Sequence, residues 1–454
     1  MPSTEPPPAA TPARVLGPLD ATCVVIGAII GVGIFFNPSK IAALTGSGTL
    51  MLAAWALAGV IAMCGALTFA ELGARCHAPG AQYEILRDAY GRFPAFLFVF
   101  CNATAIQPGA IGIIAIICAQ NLAVAAGQPP LAPQPLLALA ILLIVALTAA
   151  NIIGVRWGSQ IQNLTVYCKV LTLCTIAVLA AAFGSRDAAA AASPPLGTAL
   201  SPGAALLASL VPAFFAFGGW QQALWISGEV RQPSRNLPRA IIGGVALVIA
   251  VYLFSNWAYL RLLGVEQVAA SKTLAADAVA AVYPAFGGRF VAAAVAVSAF
   301  GVLNSQLLAG PRLIYGMAAD GRFFAPFARL SPRLGTPVAA ILLLSALAIA
   351  LILAAGEKGV DRLLTGVVFI DGVFFGLTGA TLLILRTRRA PEPGTFRVPL
   401  YPVIPLLFIV GELGVVIGAY LDPDTARAAA IGAAWIVAAA ILYVARFSRP
   451  PTLP

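Results

Sequence analysis

The sequence predicts an all-α protein that crosses a lipid bilayer many times, and its composition and its long apolar runs support this. Of the 454 residues, 60% are hydrophobic and only 10% are charged, whereas soluble globular proteins carry about 25% charged residues. The mean hydropathy is +0.94. A chain with so few charges covers its surface in lipid rather than in water. This excludes most soluble enzymes, nucleic-acid-binding proteins and secreted disulfide-stabilised proteins.

The apolar runs number about twelve when each must supply the roughly 20 residues that a spanning helix needs. No alternating strand pattern and no long polar domain interrupts them. The predicted spans are 17–45, 49–74, 94–124, 135–154, 159–183, 203–228, 237–262, 289–318, 336–355, 363–386, 400–421 and 428–446.

The net charge of +10 is explained by the loops. Arginine and lysine concentrate in the loops that follow even-numbered spans, for example in 386–397. Because basic loops stay in the cytoplasm, we expect both termini to be cytoplasmic. Residues 1–14 lack the regions of a cleavable signal and are predicted to form a disordered tail. Residues 448–454 form a second short tail.

Metal and nucleophile chemistry is not predicted. The seven cysteines mostly lie within apolar runs and their spacing matches no metal site. His77 is the one histidine, so a histidine-based metal centre or triad is excluded. We therefore expect no cofactor, no metal and no catalytic residues, and the chain is not expected to be an enzyme.

Two predicted spans contain glycines at mid-depth. The first contains residues 27–38 (Gly-Ala-Ile-Ile-Gly-Val-Gly-Ile-Phe-Phe-Asn-Pro), and the sixth contains 214–222 (Phe-Phe-Ala-Phe-Gly-Gly-Trp-Gln-Gln). Glycine weakens a helix by about 1 kcal/mol relative to alanine. Glycine breaks in spans five apart are typical of transporters built from inverted repeats. Both helices are therefore predicted to be discontinuous, with unwound backbone that lines a cavity.

The two glycine-containing segments and the loop after the sixth span resemble motifs of the amino acid–polyamine–organocation superfamily, and in particular of its L-type amino-acid transporter branch. Residues 31–35 resemble the family's Gly-Ser-Gly-Ile-Phe signature, with Val32 in place of serine, which removes a hydroxyl but keeps the backbone donors. Residues 215–220 resemble the branch's sixth-helix signature, and 229–239 its following loop. The similarity extends over about residues 15–400.

This resemblance implies the LeuT-type fold, with a 5+5 inverted repeat and two peripheral helices. The first repeat is expected over 15–184 (helices 1–5) and the second over 203–388 (helices 6–10). The peripheral helices 11 and 12 are expected over 398–447.

The resemblance also implies the substrate site. The substrate carboxylate is expected at the first backbone N–H groups of the outer half of helix 1, because a helix N-terminus attracts anions. The ammonium is expected at carbonyls of the helix ends, and an aromatic ring above them serves as a gate. The predicted substrate-binding residues are Ala28, Ile29, Val32, Gly33, Ile34, Phe215, Ala216, Gly218, Gly219 and Tyr252, and the gating residues are Phe215 and Trp220.

Lys169 lies in the middle of the fifth predicted span. A charge there costs about 2.5–3.5 kcal/mol on insertion scales, so it should face the protein interior. The family places a lysine where sodium-coupled relatives bind sodium. The resemblance implies that this ammonium links helix 1, through carbonyls of 27–30, to Ser298 on helix 8. Two roles remain open: a fixed cation, or a group that loses its proton on desolvation and carries a coupled proton.

The function implied by the resemblance is sodium-independent exchange of neutral L-amino acids by alternating access. Neutral substrates are favoured because the predicted pocket positions on helices 1, 3 and 6 carry no acidic residue. A proton-coupled or uniport permease is the alternative. A sensor that binds amino acids without moving them is an alternative of a different class.

The eukaryotic L-type carriers bond a heavy chain through a cysteine between helices 3 and 4. Residues 125–134 contain no cysteine, so a disulfide-linked partner is not expected. The chain resembles a bacterial stand-alone carrier of the cell inner membrane. Asp371 and Glu412 lie within apolar runs, and the sequence assigns them no role.

Overall fold

The computed structural model describes residues 12–184, 201–284, 287–390, 392–421 and 423–447. The predicted tails lie outside these residues, apart from 12–14. We number the membrane spans 1 to 12 in chain order. The helices that form them are Pro18–Ile29 with Gly33–Thr45 (span 1), Gly48–Arg75 (2), Arg92–Ala125 (3), Pro133–Ile153 (4), Val155–Phe183 (5), Pro202–Phe217 with Gln222–Trp225 (6), Pro233–Ala270 (7), Gly287–Ala319 (8), Val338–Arg388 (9 and 10), Val403–Leu421 (11) and Pro423–Leu442 (12).

Shorter elements complete the described chain. Helix Ala81–Tyr90 connects spans 2 and 3, and helix Leu274–Ala280 connects spans 7 and 8. Span 3 contains a π-helical turn at Asn102–Ile106. Within the described residues, β-pairing is limited to an isolated bridge between Leu16 and Val230. The prediction of an all-α chain is confirmed.

The number of spans agrees with the sequence prediction over the part of the chain that the structure describes. Nine helices there are long and apolar enough to cross a membrane singly. The bent pair that forms span 1 adds a tenth crossing, and Val338–Ala354 and Val403–Ile417 are two shorter apolar helices. Together they account for all twelve predicted spans.

The boundary between spans 9 and 10 differs from the prediction of two separate helices at 336–355 and 363–386. Both fall within one helix of 51 residues, Val338–Arg388. At 1.5 Å per residue such a helix is about 75 Å long, more than twice the roughly 30 Å hydrocarbon core. We therefore assign the two crossings to its apolar ends, Val338–Ala354 and Phe369–Arg388.

The outer surface is apolar and the polar side chains point inward. Leucines such as Leu142, Leu164 and Leu171 are 61–69% exposed, and this is the surface that contacts lipid. Lys169 and Arg312 are each 1% exposed. Since an unpartnered charge in hydrocarbon is costly, these charges lie where other helices can supply partners.

The inner helices pack around span 1. Span 3 packs extensively on span 8, and span 2 on span 7, while the first half of span 1 lies against spans 5, 7 and 8. Span 11 packs at the periphery against spans 2 and 10. This packing buries the break in span 1 and holds the break in span 6 beside it.

Candidate substrate site

Span 1 is interrupted at residues 30–32, between helices Pro18–Ile29 and Gly33–Thr45, which are bent by 42° relative to each other. A helix leaves its last four carbonyls and first four N–H groups without intrahelical partners. The break therefore exposes both kinds of group at one place. The first N–H groups of the second half belong to Gly33 and Ile34, with Val32 at the cap position.

Span 6 is interrupted at residues 218–221. Helix Pro202–Phe217 ends at Gly218, and the chain resumes as helix Gln222–Trp225. Gly219 has φ = +131°, a conformation that side-chain-bearing residues rarely adopt. The discontinuities predicted for helices 1 and 6 are thus present.

The two breaks fit against each other through their glycines. An ideal Cβ at Gly219 would lie 2.7 Å from the carbonyl carbon and oxygen of Ala28. An ideal Cβ at Gly33 would lie 3.2 Å from the Cα of Ala216. The backbones of spans 1 and 6 therefore approach as closely as glycine permits.

A cavity of about 180 Å³ lies at this contact. It is large enough for a small solute or several waters. Nine of the predicted site residues line it: Ala28, Ile29, Val32, Gly33, Phe215, Ala216, Gly218, Gly219 and Trp220. Ile34, Tyr252, Lys169 and Ser298 do not line the cavity but lie behind its wall, each at most 1% exposed. Their roles stay predictions.

The resemblance implies that Tyr252 supports substrate binding, and its hydroxyl is bonded to two backbone carbonyls. It lies 3.0 Å from the carbonyl oxygen of Ile29 and 3.1 Å from that of Ala216. Both carbonyls belong to helix ends at the breaks. Tyr252 therefore joins spans 1 and 6 and positions carbonyls at the cavity.

Replacing Tyr252 with phenylalanine is expected to weaken substrate binding and to lower the melting temperature. The variant removes the donor that the two carbonyls share. The Ile29 carbonyl keeps the Gly31 N–H, but the Ala216 carbonyl loses its hydroxyl donor, and an unsatisfied buried group costs about 1–3 kcal/mol. We expect a several-fold higher KM for amino-acid uptake into vesicles. Tyr259→Phe is the matched control, because the Tyr259 hydroxyl is buried without a described partner. Equal effects of the two variants would contradict the positioning role.

Lys169 contacts span 1 at Gly27, just before the break in the chain. Its Nζ donates to the carbonyl oxygen of Gly27 at 2.9 Å, and its Cε would lie 3.0 Å from a Cβ at Gly301 on span 8. The Ser298 hydroxyl donates to the carbonyl oxygen of Ile30 at 3.3 Å. Lysine, serine and tyrosine side chains from spans 5, 8 and 7 thus satisfy carbonyls that the break leaves free.

The predicted aromatic gates differ in environment. Phe215 lines the cavity and is 39% exposed. Trp220 is 1% exposed and stacks on Phe375 with ring centroids 5.6 Å apart. Trp220 is therefore held in place by span 10, whereas Phe215 is only partly enclosed. Gating by either residue remains a prediction.

The cavity wall also contains polar residues outside the predicted set of site residues. Gln222 is bonded to span 8, where its Nε2 donates to the Oε1 of Gln306 at 2.7 Å. Asp371 on span 10 and Glu412 on span 11 both line the cavity. In the sequence, both stand out as carboxyl groups within apolar runs. Sequence spacing does not predict that spans 10 and 11 lie beside the breaks in spans 1 and 6.

An ion pair and two backbone hydrogen bonds connect three segments at the end of the bundle beyond span 6. Glu229 forms a buried ion pair with Arg312 of span 8 at 3.1 Å. The Leu16 N–H donates to the Glu229 carbonyl oxygen at 2.9 Å, and the Arg231 N–H donates to the Leu16 carbonyl oxygen at 2.9 Å. The chain before span 1, the end of span 6 and span 8 are thus joined at this end.

Comparison with known proteins agrees with this geometry. The family model described as amino acid permease matches residues 16–446. The serine/threonine exchanger SteT of Bacillus subtilis is 31% identical over 91% of this chain and 92% of its own length. The human b(0,+)-type amino acid transporter 1 is 31% identical, covering 91% and 84% of the two chains. The rat large neutral amino acids transporter small subunit 2 is 29% identical, covering 87% and 74%.

The fold is also found among solved structures. The crystal structure of a histidine-to-alanine mutant of the Eremococcus coleocola manganese transporter superposes with a TM-score of 0.58 at 14% identity, covering 94% of this chain and 96% of that one. At this identity the likeness concerns the fold alone, and it confirms the predicted LeuT-type fold. The family match over nearly the whole chain, the two interrupted spans and the cavity between them lead to one conclusion: the chain belongs to the amino acid permease family, whose members are membrane transporters and not enzymes.

Proposed function

We propose that this protein exchanges neutral L-amino acids across the membrane by alternating access, without sodium. The observation that carries the proposal is the meeting of two helix breaks at one cavity. The freed N–H groups at Val32 and Gly33, which line the cavity, suit a carboxylate, with the Ile34 N–H next along the same helix end. Carbonyls at Ala28 and Phe215 suit an ammonium. A zwitterion placed between them satisfies both sets of groups at once.

Lys169 supports independence from sodium. Its ammonium already lies at the Gly27 carbonyl, at 2.9 Å. A sodium ion would need carbonyl and hydroxyl oxygens of this kind, and an adjacent fixed positive charge opposes it. In the proposed mechanism Lys169 supplies the positive charge that links span 1 to spans 5 and 8.

The relatives support exchange and neutral substrates. SteT is described as a serine/threonine exchanger, and the rat protein as a transporter of large neutral amino acids. We further propose that the chain works in a bacterial inner membrane with both termini in the cytoplasm and without a disulfide-linked heavy chain. The proposed repeats are 15–184 and 203–388.

Reconstituted vesicles test the exchange proposal. Uptake of labelled alanine would be compared between empty vesicles and vesicles loaded with unlabelled alanine, in choline buffer with no pH gradient. We expect uptake only into the loaded vesicles, and no stimulation when sodium replaces choline.

Other outcomes would contradict the proposal in distinct ways. Uptake into empty vesicles that increases with an imposed proton gradient would indicate a proton-coupled permease. Uptake into empty vesicles without such an increase would indicate uniport. Binding of amino acids without any uptake would indicate a sensor. Protein-free vesicles provide the background.

A further inference from the structure

Two carboxyl groups from different helices meet on one wall of the cavity. Asp371 and Glu412 both line it. Glu412 lies over the residue next to Asp371, since its Oε2 is 3.7 Å from an ideal Cβ at Gly372. Two ionised carboxylates in one low-dielectric cavity repel each other unless a cation lies beside them.

Part of the hydrogen-bonding capacity of the cavity lining is unused. Glu412 is 2% exposed, and its Oε1 has no hydrogen-bond partner among the described residues. The side-chain oxygens of Gln107 and Gln221, which also line the cavity, likewise have none. A buried acceptor without a donor costs about 1–3 kcal/mol, more when it is charged. The wall therefore offers acceptors for a donor-rich ligand.

The protein does not provide a cation there. Among the described residues that line the cavity, none is lysine or arginine. Lys169 lies behind span 1 and donates to Gly27. Buried carboxylates in a membrane normally pair with a partner or mark a ligand pathway.

We propose that Asp371 and Glu412 form a subsite for the positively charged end of a substrate side chain, so that amino acids ending in an ammonium or guanidinium are bound as well as neutral ones. The inference rests on the proposed function, because the α-carboxylate and α-ammonium are placed at the helix breaks. The side chain then extends along the same cavity toward spans 10 and 11. Its cationic end meets the two carboxylates.

The surroundings fit an organic cation better than a metal ion. Phe375, Trp220 and Val415 line the cavity with the acidic pair. These apolar groups pack against a methylene stem, and aromatic faces attract organic cations. Calcium requires six to eight oxygen ligands in a close shell. Groups of three or more potential metal ligands are not found among the described residues.

Comparing arginine with citrulline as ligands tests the effect of side-chain charge at nearly constant size. They have nearly the same size, but the guanidinium of arginine is charged and the urea group of citrulline is neutral. Binding of labelled L-arginine to the purified full chain in detergent would be competed with unlabelled arginine, citrulline and alanine. We expect arginine to bind roughly tenfold or more tightly than citrulline, the factor expected for a hydrogen-bonded charge.

The variants Asp371→Asn and Glu412→Gln keep the size of each side chain and remove its charge. We expect each to reduce the preference for arginine over citrulline, and the double variant to abolish it. Glu266→Gln is the matched control, because Glu266 is exposed on span 7 and outside the cavity. It should keep the wild-type preference. Citrulline binding by each variant reports that its site is folded.

The outcomes distinguish this inference from the proposed function. Tight, charge-dependent arginine binding without exchange would overturn the exchange proposal and support the subsite. Exchange of alanine with equal binding of arginine and citrulline by the wild type would overturn the subsite alone. A preference for arginine that survives in the double variant would also overturn it. The wild-type comparison decides the matter even if the variants do not fold.

Discussion

Replacing Lys169 with methionine is expected to abolish exchange while the protein stays folded. Lys169 is 1% exposed and donates to the Gly27 carbonyl oxygen of span 1. Burying its charge in the membrane costs about 2.5–3.5 kcal/mol on insertion scales. Methionine removes this cost together with the hydrogen bond, so we expect little change in stability. It also removes the cation that ties span 1 to span 5.

The measurement is exchange in loaded vesicles together with the melting temperature in detergent. Lys272→Met is the matched control, because Lys272 is exposed in the loop before Leu274–Ala280, and its loss should leave exchange unchanged. An active Lys169→Met variant would contradict the proposed role of the lysine. A variant that exchanges only when sodium is present would instead show that the lysine replaces a sodium ion.

Replacing Gly219 with alanine is expected to be the most damaging single methyl addition at the site. The φ of +131° costs a residue with a side chain about 1–3 kcal/mol. The added Cβ would also lie 2.7 Å from the Ala28 carbonyl, and backbone atoms cannot move aside cheaply. We expect a lower melting temperature and the loss of amino-acid binding, because spans 1 and 6 must separate for the methyl group to fit.

Gly243→Ala is the control for this change. Gly243 lies within the helix of span 7, and an ideal Cβ there meets nothing within 4 Å. Alanine in such a helical position stabilises by up to about 1 kcal/mol. Both variants add one methyl group to a glycine. If the Gly219→Ala variant binds the free amino acid alanine as tightly as the Gly243→Ala variant does, the close fit of the two breaks is unimportant for substrate binding.

The positions of the breaks followed from residue chemistry. Glycines at 31, 33, 218 and 219 weaken the helix locally, so the sequence predicted both interruptions and the cavity between them. The lone lysine in span 5 likewise predicted a partner in the interior, because hydrocarbon offers none. Such local properties do not depend on which helices become neighbours.

The orientation of Tyr252 could not be predicted from the sequence. The resemblance implies that this tyrosine of span 7 supports substrate binding, but it does not indicate that the hydroxyl lies between the carbonyls of Ile29 and Ala216. The rotation of span 7 decides this, and that rotation depends on its packing against spans 1 and 2. A span that is apolar on most sides does not indicate which face points inward.

The sequence also does not indicate that Asp371 and Glu412 line the same cavity. They are separated by a loop and belong to different helices, one of them in the peripheral pair. The sequence by itself determined that this protein is a helical membrane transporter with breaks in spans 1 and 6 and a buried lysine, because composition, apolar length and glycine position act locally. Only the tertiary structure brought the two carboxyl groups to the cavity, because proximity between distant helices follows from how their side chains pack.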